Sequence, residues 1–371
     1  MTSISVRTLT SAEHEAYLAT LPSASFLQVP AWAAVKAEWR SESLGWFREG
    51  TLVGAGLVLY RDLPKIKRSL AYLPEGPVID WEAADLAAWL DPMVRHLKRQ
   101  GAFGVRIGPA VALRRWSAAQ VKDGIADPGC AMLRQLPATA THPDGDRIVA
   151  NLQAYGWRLQ GAEGGFAAGQ PAFNFMIPLA DRTAEDVLAG MNQLWRRNIK
   201  KAAKAGVEVT QGTAADLADF HALYVETAAR DHFTPRPLSY FTTMYEALNG
   251  DGASELRLYL ARHEGDLVAS TIWIRVGQHA WYSYGASSTA KREVRGSNAI
   301  QWRMITDALE SGATVYDLRG ITETLDADDP HVGLIQFKVG TGGEAVEYPG
   351  EWDLPLNRVL YKAFDFYMKS R

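Results

Sequence analysis

The chain has 371 residues, a length that predicts one large domain or two of ordinary size. Apolar residues make up 47%, charged residues 22%, and the formal net charge is −3, which is typical of a soluble globular protein and excludes a global positive field for nucleic acid. The single cysteine, Cys130, excludes a disulfide within the chain and a cysteine-based zinc site, and we interpret it as a structural thiol.

The N-terminal sequence and the hydropathy pattern predict a cytoplasmic address. Residues 1–10 are polar and lack the apolar stretch of a signal peptide. Nowhere does the sequence approach the roughly 20 apolar residues of a membrane span. We therefore expect at most peripheral contact with a membrane. We also expect a monomer, with no cofactor and no metal.

Hydrophobic periodicity predicts alternating helices and strands in the first part of the chain. This alternation favours an α/β or α+β fold. The predicted elements are a helix over 31–39, strands over 52–60 and 70–73, a helix over 85–100 that stops at Gly101, and a strand over 103–107.

The second part of the chain follows a less regular segment, residues 128–169, and we place a domain junction near the end of that segment. The first predicted element of the second part is a strand over 174–179. The elements that follow are a helix over 184–205 between the caps Thr183 and Gly206, a strand over 207–210, a helix over 214–229, strands over 256–262, 266–276 and 279–285, a helix over 298–310 closed at Gly312, and a strand over 314–318.

The order of elements in the second part resembles the GNAT acetyltransferase fold, and the first part has a weaker version of the same order. The sequence therefore predicts two fused GNAT-like domains, each with a mixed α/β (α+β) sheet. We expect the first domain to span 1–170, with 350–371 packing back on it, and the second to span 171–349.

A degenerate phosphate-binding loop precedes the helix over 298–310. GNAT proteins usually cradle a pyrophosphate with an Arg/Gln-x-x-Gly-x-Gly/Ala loop at a helix N-terminus. Here the first position is Glu293 and the last is Asn298. An acidic side chain facing a pyrophosphate is unfavourable, so we expect acyl-CoA to be the wrong donor. Gly296 and Ser297 can still bind a phosphate.

Seven motifs in a fixed order carry a more specific signal than the loop does, and together they run through nearly the whole chain. They resemble the Fem (FemABX) family of peptidyl-branching aminoacyltransferases, with similarity from about residue 26 to residue 350. The motifs are 25–32 (SFLQVPAW), 196–199 (RRNI), 227–233 (TAARDHF), 282–287 (YSYGAS), 298–302 (NAIQW), 316–321 (YDLRGI) and 333–340 (GLIQFKVG).

The resemblance implies an aminoacyl-tRNA donor and a peptidoglycan precursor, linked to a nucleotide or to a lipid, as acceptor. The acceptor amine belongs to the third residue of the stem peptide, and an amino acid of the Gly, Ala or Ser class would begin a cell-wall cross-bridge. Larger family members carry a helical-hairpin arm in the second domain. No long heptad insertion separates Arg197 from Arg230, so we expect the compact, FemX-like form without an arm.

The resemblance also assigns residues to the acceptor site. Lys36 would contact the diphosphate of the precursor, and Arg236 and Tyr240, four residues apart, would bind the precursor from one face if their segment is helical. Tyr284 belongs to the same site, and Tyr282 competes for that role because alternate residues of a regular strand share a side. Each residue also has an ordinary structural interpretation, as a solvated cation or a packed tyrosine.

The motif around Lys338 carries the predicted chemistry. A cation there would stabilise a developing oxyanion or hold the 3′ phosphate of the tRNA, and Phe337 would add a backbone N–H to the same oxyanion. A basic stretch earlier in the chain is predicted to bind tRNA, together with Gly296 and Ser297, although a solvated helix face is the alternative. The cations of that stretch are Arg196, Arg197, Lys200, Lys201 and Lys204.

One position departs from the family pattern. The family commonly has an acid in an Ile-Asp-Pro motif, and this chain has Gly108, which cannot transfer a proton. Asp231 and Asp317 remain as acids in matched motifs. We expect direct attack of the acceptor amine on the aminoacyl ester, without a protein nucleophile. The alternatives are an aminoacyl-tRNA-dependent transferase acting on a small amine, a non-catalytic RNA-binding module, and an acyl-CoA acetyltransferase.

Overall fold

A computed structural model describes residues 3–63, 66–161, 169–250 and 252–369 of the chain. The chain divides into two compact units. The first comprises Met1–Arg114, Ala140–Ala172 and Glu347–Arg371, and the second comprises Arg115–Thr139 and Phe173–Val346. Part of the irregular segment before the predicted junction, residues 162–168, lies outside the described residues.

The strands of both units are numbered along the chain. They are β1 Ile4–Leu9, β2 Arg40–Arg48, β3 Thr51–Leu63, β4 Ile66–Leu73, β5 Ala102–Ile107, β6 Arg114–Ser117, β7 Ala140–Thr141, β8 Arg158–Leu159, β9 Phe173–Pro178, β10 Glu208–Gly212, β11 Glu255–His263, β12 Asp266–Val276, β13 His279–Ser287, β14 Val315–Ile321, β15 Glu344–Glu347 and β16 Trp352–Pro355.

The helices are short to moderate in length. They are α1 Ser11–Leu18, α2 Trp32–Val35, α3 Ala87–Arg99, α4 Ala118–Ala126, α5 Gly145–Ala154, α6 Ala184–Gly190, α7 Gln193–Lys204, α8 Leu217–Asp231, α9 Leu238–Leu248, α10 Gly296–Glu310, α11 Val332–Val339 and α12 Arg358–Lys369.

Each unit is built around a mixed sheet, as the sequence predicted. In the first unit the strand order is β1-β2-β3-β4-β5-β16-β8, with β4 and β5 parallel and the other neighbours antiparallel. In the second unit it is β10-β11-β12-β13-β14-β9-β15-β6, with β13 and β14 parallel. Strand β16, from the end of the chain, therefore lies between β5 and β8 of the first sheet.

The parallel strands β13 and β14 separate part-way along their length. Their pairing runs from His279 to Trp281 on β13, while β13 continues to Ser287. Strand β14 stays with β9 on its other side, where Gly320 pairs with Asn174. Since the two strands diverge, their carboxyl ends leave a wedge in the sheet.

Local sequence signals identified several helix ends. Thr183 caps α6 in a capping box, and Gly206 and Gly312 follow helices with φ of 78° and 75°. The predicted helix over 184–205 is wrong as a single element, because it breaks after Gly190. Asn192 then caps the second helix, α7, by accepting a hydrogen bond from the Trp195 N–H.

Two further predictions need correction. The helix expected over 31–39 is one turn, α2, because Lys36 leaves the helical region with φ −111° and ψ 38°. Residues 115–139, expected in the first domain, belong to the second unit. The Ala118 N–H donates to the Gly343 carbonyl, and the Trp116 ring packs against Phe173, so this segment is held by partners in the second unit.

Residues 197–230 contain β10 and parts of α7 and α8, so the predicted absence of a helical arm is confirmed there. Among the described residues, none of the helices combines the length and apolar composition that crossing a bilayer requires. In the same part of the chain, no group of three or more His, Cys, Asp or Glu side chains is arranged to hold a metal ion.

Candidate active site

Three of the predicted acceptor residues lie together in the second unit. The hydroxyl oxygens of Tyr240 and Tyr284 are 3.2 Å apart, and their ring centroids are separated by 6.2 Å. The Arg236 guanidinium carbon lies 5.4 Å from the centre of the Tyr240 ring, a cation–π arrangement. Arg236 precedes α9 and is not on it, so the helical spacing that was predicted to align these residues is wrong.

Aromatic side chains pack against this cluster. The Phe241 ring packs edge-to-face against Tyr284 at 5.1 Å and against Tyr224 at the same distance. His221 bonds to the Arg236 carbonyl through Nε2 at 3.0 Å, which fixes the backbone of the arginine. A half-buried pair of hydroxyls beside an exposed guanidinium can bind an anionic, hydrogen-bonding ligand.

Tyr282 does not compete with Tyr284 in the way that a regular strand would allow. Tyr284 pairs with Ile272 and Tyr282 pairs with Trp273, so Ser283 is an extra residue that interrupts the alternation. The Tyr282 hydroxyl instead lies over Gly285, where a side chain would collide with it. Burial raises the pKa of Tyr282 to about 12.

Lys338 is a buried residue near the end of α11, with 3% of its surface exposed. Its Nζ donates to the carbonyls of Gly320 and Arg319 at 2.6 and 3.2 Å. Burial lowers the pKa of Lys338 to about 7, although the nearby Asp317 carboxylate favours the charged form. Lys338 is part of a helix, and its ammonium is bonded to the strand β14.

Phe337 connects α11 to α7. Its carbonyl accepts a hydrogen bond from Trp195 Nε1 at 2.9 Å, and the two ring centroids are 4.8 Å apart. Phe337 is the sixth residue of its helix, beyond the first four N–H groups that lack acceptors within a helix. The predicted contribution of its N–H to an oxyanion site is therefore wrong.

We predict that Gly340→Ala destabilises the fold. A Cβ at Gly340 would lie 2.6 Å from Trp195 Nε1, and the neighbouring backbone is held by a hydrogen bond from the Asn192 N–H to the Gly340 carbonyl. We expect a loss of about 1–3 kcal/mol, the usual cost of overpacking. Gly333→Ala, with open space around its Cβ, is the matched control and should be neutral. Equal melting temperatures for both variants would contradict the argument.

A cleft of about 410 Å³ lies between α7, α11 and the start of α10. Gly296 and Ser297, predicted to bind phosphate, open α10 and line this cleft, and the N–H groups of a first helical turn point outward from the helix end. A Cβ on Gly296 would come within 2.7 Å of the Val268 side chain, which explains the glycine. Three cations also line the cleft: Lys291, Arg292 and Arg295.

The prediction that Glu293 faces a bound pyrophosphate and disfavours acyl-CoA is wrong. Glu293 is exposed and is not one of the residues that line the cleft, whereas its neighbours Arg292 and Arg295 are. The loop places Arg295 in the left-handed region, with φ 63°, directly before the helix. An anion at the helix start therefore meets positive charge, and the acidic side chain does not exclude a pyrophosphate.

The predicted tRNA-binding cations lie on α7, which begins at the rim of this cleft. Arg197, Lys200, Lys201 and Lys204 are exposed, and Arg197, Lys201 and Lys204 follow one face by helical spacing. Arg196 is half-buried and donates through Nη1 to the Ala189 carbonyl at 2.8 Å. Arg196 thus has a structural contact that the other four lack among those described.

Lys36 lies in the first unit, where it is half-buried and ends α2. Its N–H donates to the Ala33 carbonyl, and its carbonyl accepts from the Trp39 N–H, so its backbone forms a tight turn. Its predicted contact with a diphosphate stays a prediction.

A buried carboxylate, which no sequence motif indicated, faces Gly108 in the first unit. A Cβ at Gly108 would lie 3.9 Å from Glu351 Cγ. Glu351 accepts a hydrogen bond from the Tyr72 hydroxyl, and burial raises its pKa to about 7 in spite of the opposing Arg106 charge. A pKa near neutrality suits general acid–base chemistry. Only the pairing of β5 with β16 brings Glu351 here, so no local motif could have revealed it.

Two solved structures share this fold over nearly the whole chain. FemX has a TM-score of 0.80 at 24% identity, covering 96% of this chain and 99% of its own. A tandem GNAT protein from the clavulanic acid biosynthesis pathway has a TM-score of 0.54 at 12% identity, covering 95% of this chain and 98% of its own. The fold is therefore that of a tandem GNAT-like protein.

Sequence comparison identifies the family to which the chain belongs. The FemAB family model matches residues 9–262 and 253–369. Two curated relatives are named lipid II:glycine glycyltransferase. The one from Staphylococcus aureus strain MRSA252 is 24% identical, and the one from Staphylococcus haemolyticus strain JCSC1435 is 25% identical, each over 96% of this chain and 94% of the relative. The chain belongs to the FemAB family and is an acyltransferase.

Proposed function

We propose that the protein transfers an amino acid from aminoacyl-tRNA to the stem peptide of a peptidoglycan precursor. The observation that carries the proposal is the cluster of Arg236, Tyr240 and Tyr284, which places a guanidinium and two hydroxyls together. A phosphorylated glycopeptide offers the anionic groups that these residues bind. Relatives that span nearly the same length act, by their names, on lipid II and glycine.

The donor would bind at the cleft. An aminoacyl-tRNA ends in phosphates and a ribose ester, and the start of α10 with Arg292 and Arg295 supplies N–H donors and positive charge. The ammonium of Lys291 is ion-paired with Glu264 and Asp266. The exposed cations of α7 would extend this contact along the RNA backbone. The ester is already activated, so the protein must align the acceptor amine and stabilise the oxyanion. We assign the latter to Lys338.

A second candidate donor is acyl-CoA, and the position of Glu293 outside the cleft favours it. The pyrophosphate of CoA would meet the same helix start and the same arginines. With acyl-CoA as donor the chain is still an acyltransferase, but the cations of α7 have no RNA backbone to bind.

One experiment separates the donors. The purified protein is incubated with charged tRNAs or with acetyl-CoA, and with a stem-peptide precursor or a small amine, and the products are read by mass spectrometry. We expect an added amino acid that requires both charged tRNA and the precursor, and that disappears after ribonuclease treatment. Acetyl transfer without RNA would overturn the proposal. Transfer to the small amine but not to the precursor would show that the acceptor is a small amine.

We predict that Arg236→Ala weakens binding of the precursor roughly tenfold to a hundredfold, the scale of one charge-assisted hydrogen bond. The guanidinium is exposed and stacked on Tyr240, so its loss should leave the fold intact. Arg95→Ala removes an exposed arginine of the first unit and is the matched control. Calorimetric titration with the precursor measures the affinity of both variants. Unchanged affinity in Arg236→Ala would remove this residue from the site.

A further inference from the structure

Two strands of the second unit bring a histidine next to the aspartate that acts on Lys338. His279 begins β13 and Asp317 lies on β14, and the Nε2 atom of the histidine is 3.4 Å from Oδ2 of the aspartate. His279 pairs with Val315 and Trp281 pairs with Asp317, so these four residues share one face of the sheet. The charge of the Asp317 carboxylate favours the ammonium form of Lys338.

The Asp317 carboxylate is held at both of its oxygens. Oδ1 accepts a hydrogen bond from the Arg319 N–H at 2.6 Å, and Oδ2 faces His279. The histidine ring is fixed in turn by stacking on Trp281, with the ring centroids 4.1 Å apart. The side chain of Asp317 is 2% exposed and that of His279 is 19% exposed, whereas Lys338 is 3% exposed. His279 therefore connects solvent to a buried aspartate beside a buried lysine.

The charges on neighbouring elements make Asp317 the counter-charge of Lys338. Arg319, on β14, opposes the ammonium. Arg230 of α8 lies at the other end of β13, where it donates to the carbonyl of the last strand residue. Strand β9, on the other side of β14, contains no charged residue. By the strand register, the titratable groups on the opposite face of the sheet are Arg275, Tyr282 and Tyr316.

We propose that His279 is a positioning residue for the transfer reaction, which holds the Asp317 carboxylate ionised beside Lys338 so that the lysine stays protonated. An imidazole N–H or an imidazolium directed at Oδ2 stabilises the charged form of a carboxylate. That negative charge offsets the cost of burying an ammonium. The inference rests on the proposed function, in which Lys338 stabilises the oxyanion.

The test measures two pH dependences side by side, that of kcat and that of the free energy of unfolding. In the unaltered protein kcat should fall, and the rise of stability should begin, as pH passes about 7, the pKa of buried Lys338. Asp317→Asn preserves the shape of the side chain but removes its charge. Both transitions should then move down by roughly one to two pH units, and kcat at pH 7 should fall about fivefold or more.

Variants of His279 test whether it acts through the carboxylate. His279→Phe retains a ring to stack on Trp281 and should move both transitions in the same direction by roughly half a pH unit. His279→Gln retains an N–H donor and should restore most of that shift. Combining His279→Phe with Asp317→Asn should give the transitions of Asp317→Asn alone, because the histidine acts only through the aspartate.

The matched control is His142→Phe. His142 has a similar exposure, 20%, and its Nε2 lies 3.3 Å from a carboxylate oxygen of Glu82, but both residues belong to the first unit. This variant should leave both transitions where they are in the unaltered protein. Equal shifts in His142→Phe and His279→Phe would overturn the proposal.

Three further outcomes decide the matter. Unmoved transitions in Asp317→Asn, or additive shifts in the double variant, would contradict the proposal. If Asp317→Asn does not fold, the comparison of His279→Phe with His279→Gln is decisive, and equal transitions in these two variants would refute it. If the stability transitions move as expected but no variant transfers an amino acid, the proposed function fails while the link from His279 to Lys338 stands.

Discussion

Lys338→Met is expected to lower kcat about a hundredfold to a thousandfold, the range for losing one oxyanion donor. Methionine preserves most of the buried volume but removes the amine that bonds to the carbonyls of Arg319 and Gly320. If the amine acts on the transition state, precursor affinity should change little. Steady-state kinetics with each substrate varied in turn measures this. A loss confined to the apparent KM for aminoacyl-tRNA would place Lys338 at the tRNA terminus instead.

The pH dependence gives an independent check on Lys338. Since burial lowers its pKa to about 7, an ammonium that stabilises an oxyanion is lost as pH rises above that value, and kcat should fall. A neutral amine acting as a base would give the opposite slope. Lys338→Met should abolish either dependence. Lys338→Arg should recover little activity, because the guanidinium is larger and differently shaped.

Stability should also depend on pH through Lys338. Between about pH 7 and 10.5 the unfolded chain holds the lysine proton and the folded chain does not, so the free energy of unfolding rises with pH across this window. Lys338→Met should flatten that rise. If Lys338→Met has normal turnover but an altered dependence of stability on pH, then Lys338 is a structural residue that holds β14.

Removing two cations from α7 is expected to produce the second large effect. Lys201→Ala combined with Lys204→Ala should lower tRNA affinity by one to two orders of magnitude and reduce the slope of log K against log salt by about two, one per lost phosphate contact. The salt titration distinguishes phosphate contacts from a general loss of folding. The precursor should bind as before, because its predicted residues lie elsewhere in the chain.

The matched control for α7 is Arg95→Ala combined with Lys122→Ala, which removes the same charge from exposed positions on other helices. If both double variants weaken tRNA binding equally, the effect is one of net charge and α7 is not an RNA surface. If Lys201→Ala with Lys204→Ala leaves tRNA binding intact but acetyl-CoA supports transfer, the acyl-CoA candidate replaces the proposed donor.

The elements of the fold were largely predictable because their signals are local. Strands β11, β12 and β13 follow from runs rich in apolar, aromatic and β-branched residues, and the end of α7 follows from a glycine that takes a positive φ at 206. The break between α6 and α7 was missed because the apolar period continues through it. Asn192, a good cap, was its only sign.

The candidate site was predictable only in part, and the errors share a cause. Arg236, Tyr240 and Tyr284 were identified by motif resemblance and do lie together, but for a reason other than helical spacing. The resemblance could not give the bulge at Ser283, which depends on how β13 pairs with β12. It could not place Glu293 outside the cleft, since the loop conformation depends on packing around Gly296.

The sequence alone determined the alternation of helices and strands, the mixed α/β class and membership of the FemAB family, because these rest on periodicity, capping residues and the order of motifs. The tertiary structure alone decided which groups meet. Lys338 bonds to carbonyls 18 and 19 residues away, and Glu351 faces Gly108 from the position just before β16, near the other end of the chain. The pKa values of both, near 7, follow from burial, which exists only once distant segments have packed together.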